Sequence, residues 1–295
     1  MAAALVALPM VQRLSPRCIR ILGGNPGKFT LQGTNTYLLG SGHCRILVDT
    51  GEGRPAWIQA LKETLADENA TVKLALISHW HHDHTGGIAD LVNAFPQVEI
   101  FKNSPDAGQR PIQSGDAFQV EDATLTACHT PGHTKDHMVF VLTEEDAMFA
   151  GDNVLGQGTA VFEDLATYLQ SLKEMKTLFS GRVYPGHGPV IDNGPEKIGE
   201  YIEHRRQREE EVLRAMRGGT PDINSNDDNN SNNNNNNREI WTAMDIVKIV
   251  YKDVREDLHM AACGGVVQML AKLEQDGKVR QTEDGWQLQD VKSVI

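Results

Sequence analysis

Apolar positions in the first half of the chain come in short runs, which predict strands over Cys18–Leu22, Thr36–Leu39, Arg45–Val48 and Val72–Ile77. Further runs at Val98–Phe101, Ala123–Ala127, Met138–Leu142, Ala147–Phe149 and Val183–Tyr184 extend the series. Between them the apolar spacing shifts to that of a helix over Ala56–Ala66, Ile88–Phe95, Leu165–Leu178 and Glu196–Arg217. Strands alternating with helices predict an α/β layered core. The run Val11–Leu22 is read as the first strand of this core.

Asp222–Asn237 is almost wholly Asn, Asp and Ser, and such a stretch buries too little apolar surface to offset its ordering entropy. It is expected to be a disordered linker over 218–238, separating a catalytic domain at 1–217, connecting helix included, from a small domain at 239–295. In that small domain Thr242 and Asp245 have the spacing of a helix start. A second helix is expected over Ala261–Gln275 with Val266, Val267, Leu270 and Leu273 as its apolar face. A tight hairpin at Lys278–Gln281 and Trp286–Leu288 follows the Asp284–Gly285 turn, which gives a winged-helix-like plan.

Composition narrows the class. The 295 residues carry a formal charge of −12, which argues against a surface coated in basic groups for gripping nucleic acid. Four cysteines, Cys18, Cys44, Cys128 and Cys263, form no CxxC pair and read as reduced, buried small hydrophobes. No apolar run approaches the ~20 residues of a membrane span. The absence of acidic residues before Asp49, with Arg13, Arg17 and Arg20 early, hints at import into the mitochondrial matrix, a cytoplasmic location being the alternative.

The chemistry lies where strands end. In Ser78-His79-Trp80-His81-His82-Asp83-His84, His79 and His81 alternate so that two imidazoles can converge on one ion, and the following turn can aim Asp83 and His84 at a neighbouring one. Thr130-Pro131-Gly132-His133-Thr134, Phe149-Ala150-Gly151-Asp152 and Tyr184-Pro185-Gly186-His187-Gly188 each repeat a polar ligand type beside glycine. The ordered set HxHxDH, His, Asp, His resembles the metallo-β-lactamase superfamily, an αββα sandwich. The resemblance implies two zinc ions per chain. One would take His79, His81 and His133, the other Asp83, His84 and His187, with Asp152 bridging. Asp83 would also be catalytic, orienting the hydroxide or carrying a proton. Asp49, ending a strand in Val48-Asp49-Thr50-Gly51, would support the ligands from behind. His82 is expected to point away, His137 to be structural, and Asn35 and Thr36 can face substrate.

Gly27–Leu38, Thr130–Met138, Thr159–Leu165 and Tyr184–Val190, with the winged helix, narrow the resemblance to the β-lactamase-like protein 2 (lactamase beta 2) endoribonucleases. That resemblance implies attack of a metal-bound hydroxide on the phosphodiester of single-stranded RNA, with no membrane partner and a possible homodimer. His204-Arg205-Arg206-Gln207-Arg208 can meet phosphates, although its helix holds six Glu against six Lys/Arg and reads equally as a salt-bridged face. From Glu239 on, seven Lys/Arg face ten Asp/Glu, so the small domain is expected to pack against the catalytic one more than to bind RNA. A glyoxalase II-like thioester hydrolase, with much the same ligands, is the alternative. A secreted β-lactamase, a flavodiiron-type oxidoreductase and a non-catalytic scaffold rank below it.

Overall fold

The computed structural model describes residues 5–218, 240–256 and 259–289, and the chain divides between Tyr201 and Ile202 into two compact units. The Asn-rich stretch expected to be a linker lies outside the described residues, Gly218 excepted. The unit boundary falls inside the expected connecting helix, upstream of the predicted domain limit.

In the first unit, β1 (Val11–Ser15), β2 (Cys18–Leu22), β3 (Asn35–Leu39) and β4 (Cys44–Val48) form an antiparallel ladder. Helix α1 (Pro55–Asp67) crosses to β5 (Thr71–Leu76), and the short helices α2 (His82–Thr85) and α3 (Ile88–Ala94) lead to β6 (Glu99–Lys102) and β7 (Arg110–Pro111). These last strands continue the sheet in parallel, giving seven strands in sequence order. The second sheet takes β8 (Ala117–Val120), β9 (Ala123–His129), β10 (Met138–Leu142) and β11 (Ala147–Gly151), then α4 (Leu165–Met175) and β12 (Val183–Pro185). Its order is β12-β11-β10-β9-β8.

Alternation along the strands builds the layers. Tyr37, Leu39, Ile46, Val48, Leu74 and Leu76 share one core with Leu125, Phe140, Phe149 and Tyr184 of the second sheet. The intervening Leu38, Leu47, Ala75 and Ile77 face the other way, onto Trp57, Leu61 and Leu65 of α1 and Leu91 of α3. Both faces are buried, so the runs read as continuous apolar stretches. Each Leu or Ile wholly withdrawn from water contributes roughly 1.5–3 kcal/mol. Helix α1 has Pro55 at its first turn, where the missing N–H is not needed, and repeats its apolar residues every four positions. Helix α4 is capped by Asp164, whose side chain accepts from Thr167 N–H at 2.7 Å, and buries Leu165, Tyr168, Leu172 and Met175. The result is the αββα layering that the resemblance implied.

Val11–Leu22 is two paired strands and not one. Pro16, with no N–H and a fixed φ, breaks the run, and Ser15 pairs with Cys18 across the turn. The described cysteines are all free, but only Cys18 is buried; Cys128 and Cys263 are half-buried and Cys44 is exposed, so the reading of all four as buried hydrophobes holds for Cys18 alone.

Helix α5 (Gly194–Gly218) runs past the unit boundary. In the second unit α6 (Ala243–Val250) starts in a capping box of Thr242 and Asp245, and α7 (His259–Gln275) begins two residues before the predicted start. The hairpin is β13 (Val279–Thr282) and β14 (Gly285–Leu288). Val266, Met269, Leu270 and Leu273 bury one face of α7, while Val267, predicted to join them, is 42% exposed. Trp241 and Trp286 exchange both backbone hydrogen bonds at 2.8 Å, adding a third short segment to the wing. Lys272 Nζ bonds Glu209 of α5 at 2.6 Å and Asp276 at 2.9 Å. Arg206 pairs with Glu203 and Glu210, and Arg208 with Glu211. Arg206 and Arg208 of the basic stretch are thus engaged in ion pairs along their own helix face. No helix among the described residues is long and apolar enough to cross a membrane.

Candidate metal centre

The predicted ligand residues meet in two clusters, His79, His81, His133 and Asp152 in one and Asp83, His84 and His187 in the other. Strand β5 ends at Leu76, so His79 and His81 converge from the connection that follows it and not from the strand itself. His79 Nε2 and His133 Nε2 lie 3.0 and 3.1 Å from His81 Nδ1. In the second cluster His187 Nε2 is 3.2 Å from Asp83 Oδ2, and His84 Nε2 is 3.4 Å from the same oxygen. Asp152 lies between the clusters: Oδ1 is 3.4 Å from His84 Nε2, while Oδ2 is 3.7 Å from His133 Nε2 and 3.3 Å from His187 Nε2. His82 is exposed and turned away, as expected.

Hydrogen bonding behind the imidazoles fixes where their lone pairs point. Ser78 Oγ donates to Asp49 Oδ2 at 2.8 Å, so it accepts from His79 Nδ1 at 2.9 Å, which leaves a lone pair on His79 Nε2. Val161 O accepts from His133 Nδ1 at 2.8 Å, which likewise frees His133 Nε2. Asp49 Oδ2 accepts from His84 Nδ1 at 2.7 Å, and Asp49 Oδ1 from Ser78 N at 2.8 Å. The two lone pairs converge on His81 Nδ1, where either a His81 Nδ1–H or a cation can satisfy them. His84 Nε2 and Asp152 Oδ1 are buried with no hydrogen-bond partner among the described residues, again facing where a cation fits. Imidazole and carboxylate donors in this mixture suit zinc.

Without a cation, protons supply the compensating charge. Burial works against a charged His187, but Asp152 and Asp83 outweigh it and raise its pKa to about 9. His84 is likewise held well above the usual imidazole range despite burial, by Asp152 and Asp49. Burial opposes ionisation of Asp83 too, yet the His187 hydrogen bond and the His84 charge hold its carboxyl far below the ordinary range. In the first cluster the sign reverses: burial first, then neighbouring imidazoles, lower His79 and His81.

Glycine does local work at two places. A Cβ on Gly186 would lie 2.3 Å from Asp152 Oδ1, so only glycine lets the chain carrying His187 approach that carboxylate. Gly132, at φ +132°, packs so closely on α4 that a Cβ would lie 2.3 Å from Tyr168 Cα.

Asn35 and Thr36 do not face substrate. Asn35 Nδ2 donates to Pro185 O at 2.8 Å and Gly188 O at 2.9 Å, holding the turn that carries His187. Thr36 Oγ1 donates to Ile21 O and accepts from Trp57 Nε1. Both sit on β3 between buried layers, and their short polar side chains satisfy backbone groups there. His137 is structural, as expected. Its Nε2 accepts from Asp152 N at 3.1 Å, and its Nδ1 lies 3.2 Å from Thr130 Oγ1.

Sequence reasoning missed Thr34. Its hydroxyl accepts from Asn25 Nδ2 at 3.1 Å and donates to Asp83 Oδ2 at 3.1 Å, and its N–H donates to Asn25 Oδ1 at 2.9 Å. The signal was its place directly before Asn35 in Gly33-Thr34-Asn35. Beside the clusters opens a cavity of about 380 Å³, bounded by His81, Asp83, His133, Asp152 and His187 and by loops at 28–31 and 155–161.

Fold and site together describe a metallohydrolase of the sandwich type. Residues 29–102 and 99–187 match the model of the metallo-beta-lactamase superfamily, and 242–286 that of the beta-lactamase associated winged helix domain. The chain belongs to the metallo-β-lactamase superfamily. It is 47% identical over 275 residues to an atrochrysone carboxyl ACP thioesterase of Aspergillus chevalieri, covering 92% of this chain and 85% of that one. It is 50% identical over 215 residues to atrochrysone carboxyl ACP thioesterase nsrC of Aspergillus novofumigatus, covering 72% and 67%. A beta-lactamase domain protein from Burkholderia ambifaria superposes with a TM-score of 0.74 at 18% identity, over 95% of this chain and 94% of that one, a likeness of fold alone.

Proposed function

We propose that this chain is a metal-dependent thioester hydrolase that releases an acyl group from an acyl carrier protein. The observation that carries the proposal is the 47% identity, over most of both chains, to a protein named as a carboxyl ACP thioesterase. This reading replaces cleavage of single-stranded RNA. The named relatives offer no support for a nuclease, for RNA binding or for a mitochondrial location, and Arg206 and Arg208 of the basic stretch are paired within their own helix. The glyoxalase II-like alternative is therefore the better guide to the chemistry, although its C-terminal domain is not the one present here.

His79, His81, His133 and Asp152 would hold one zinc ion and Asp83, His84 and His187 a second, with Asp152 shared. Bound there, the pair would supply Lewis acidity and a lowered pKa for water. The protein groups do the positioning. All three contacts of Asp83 run to Oδ2, so Oδ1 is the oxygen that can accept a hydrogen bond from the attacking water and aim it at the thioester carbonyl carbon. Water adds, the C–S bond breaks, and a carboxylic acid and a thiol leave. A thiol of pKa about 8.5 departs readily as thiolate, so no strong general acid is required. His137 and Asn35 hold the two segments that carry Asp152 and His187.

Thr34 fixes Asp83 by one hydrogen bond to a charged acceptor, worth about 1.5–3 kcal/mol. Thr34→Val is therefore expected to lower kcat roughly 10–100-fold and, because it also leaves the buried Asn25 Nδ2 without its acceptor, to lower Tm by a few degrees, while Thr34→Ser retains most activity and stability. Steady-state kinetics with thermal melts check this. Function itself is tested by thiol release from acyl-carrier-protein thioesters by the zinc-loaded chain, beside 5′-labelled single-stranded RNA. Thiol release lost in Asp83→Asn supports the proposal; RNA cleavage without thiol release overturns it.

A further inference from the structure

The second unit carries a concavity of its own, of about 490 Å³, between α6 and the start of α7. Met244 and Lys248 stand one turn apart on α6, and Lys252 follows just beyond its end. Met260, in the first turn of α7, lines the same concavity and is 75% exposed. His259, buried beside it, fixes the connection between the two helices. Its Nε2 lies 3.2 Å from Tyr251 O and 3.0 Å from Val254 O, so an Nε2–H is shared between two carbonyls.

What this frame displays is not covered by the protein. Lys248 and Lys252 are exposed and make no ion pair among the described residues, whereas Lys272 and Lys278 of the same unit are both paired. The apolar side is open too. From Met260 one face of α7 runs through Gly264 to Val267, at i, i+4 and i+7. Val267 is 42% exposed, and a Cβ on Gly264 would meet nothing within 4 Å. Val266, Met269, Leu270 and Leu273 already supply the buried face of that helix, so this second stripe has no core to meet. An uncovered apolar stripe with free cationic groups beside it fits an amphipathic helix that carries acidic residues. Nucleic acid fits poorly, because Glu256 lines the same groove and a phosphate backbone gains nothing from Met260.

We propose that this groove docks an acidic amphipathic helix of the acyl carrier protein that delivers the thioester. The inference rests on the thioesterase reading. A catalytic cavity of about 380 Å³ has room for an acyl group and part of its thiol arm but not for a carrier, which therefore needs a contact elsewhere on the chain. With a formal charge of −12 the chain repels an acidic partner over most of its surface. Two lysines without carboxylate partners reverse the sign locally, which steers the carrier to one place and one orientation. Met244 and Met260, unbranched and able to repack, meet the apolar edge of its helix.

The test uses the zinc-loaded full chain with one benzoyl group presented in two ways, on a recombinant acyl carrier protein and on N-acetylcysteamine. Binding of the apo carrier, which lacks the thiol arm, is measured separately by calorimetry. The double variant Lys248→Glu/Lys252→Glu is expected to raise KM for the carrier-bound thioester about tenfold at low salt and to weaken apo-carrier binding by about the same factor. Its kcat, and its reaction with the N-acetylcysteamine thioester, stay at wild-type values. Wild-type KM for the carrier-bound thioester rises with salt, because both lysines are exposed, and Lys248→Arg/Lys252→Arg behaves as wild type. Turnover of both thioesters with an unchanged carrier KM in the Glu variant overturns the groove and leaves the thioesterase reading intact. Lysine-dependent binding of the apo carrier without turnover of either thioester supports the groove and overturns that reading. Absence of both binding and turnover overturns the two together. Lysine-dependent self-association, or lysine-dependent binding of labelled single-stranded RNA, in place of carrier binding overturns the choice of occupant.

Discussion

Replacing Asp83 with Asn is expected to lower thioester hydrolysis by about 10²–10⁴-fold while the protein stays folded and gains less Tm on adding zinc. The side chain keeps its volume, so packing is preserved. Its charge is lost from a place where His187 Nε2, His84 Nε2 and Thr34 Oγ1 all lie within 3.1–3.4 Å of one oxygen. An amide there either presents N–H groups to donors already aimed at it or rotates away, and neither arrangement holds a cation or orients water. Two measurements check the expectation: kcat/KM by thiol release, and zinc per chain by elemental analysis, which should fall from two toward one. Full activity with two zinc ions per chain would remove Asp83 from the site.

The second large effect is expected at Asp49, which does not line the cavity beside the clusters. Asp49 is 2% exposed and adopts φ +60°, a left-handed conformation that Asn tolerates as well as Asp. Asp49→Asn therefore keeps the backbone, and the tautomer of His84 changes. Oδ1 accepts from Ser78 N–H, so the amide oxygen takes that position and the NH₂ faces His84 Nδ1. An NH₂ donates, so Nδ1 must accept and the imidazole proton moves to Nε2, the atom that faces Asp83 and Asp152. Cation affinity of that cluster is expected to drop about 10–100-fold. Zinc titration under competition by a chromophoric chelator reads it, and the Tm gained on adding zinc shrinks in parallel. A variant that binds zinc like wild type would show that Asp49 only caps its loop.

Much of this was open to inspection in the residues. The clusters were visible because HxHxDH is a local motif whose donors lie within six residues, and the later His133, Asp152 and His187 each stand beside a glycine at a strand end. The Thr242–Asp245 capping box was equally local. Asn35 and Thr36 were misjudged because polarity beside a glycine turn is compatible with either substrate contact or backbone support. The choice depends on Pro185 and Gly188, 150 and 153 positions away. The substrate was not legible for a different reason: similar ligand sets serve phosphodiester and thioester chemistry alike, so the ligands alone do not separate them.

What the sequence determined by itself follows from short-range physics: runs of apolar residues that must become strands buried on both faces, helix starts, and the side chains able to bind a cation. The pairing of Asp83 with His84 and His187, and the place of Asp152 between the clusters, were already implied by the resemblance. The tertiary structure alone placed Thr34 behind Asp83 and Phe29 and Val161 on the cavity. Each of these depends on sheet register and on loops anchored across the sandwich, where a shift of one residue would send a side chain to the opposite face.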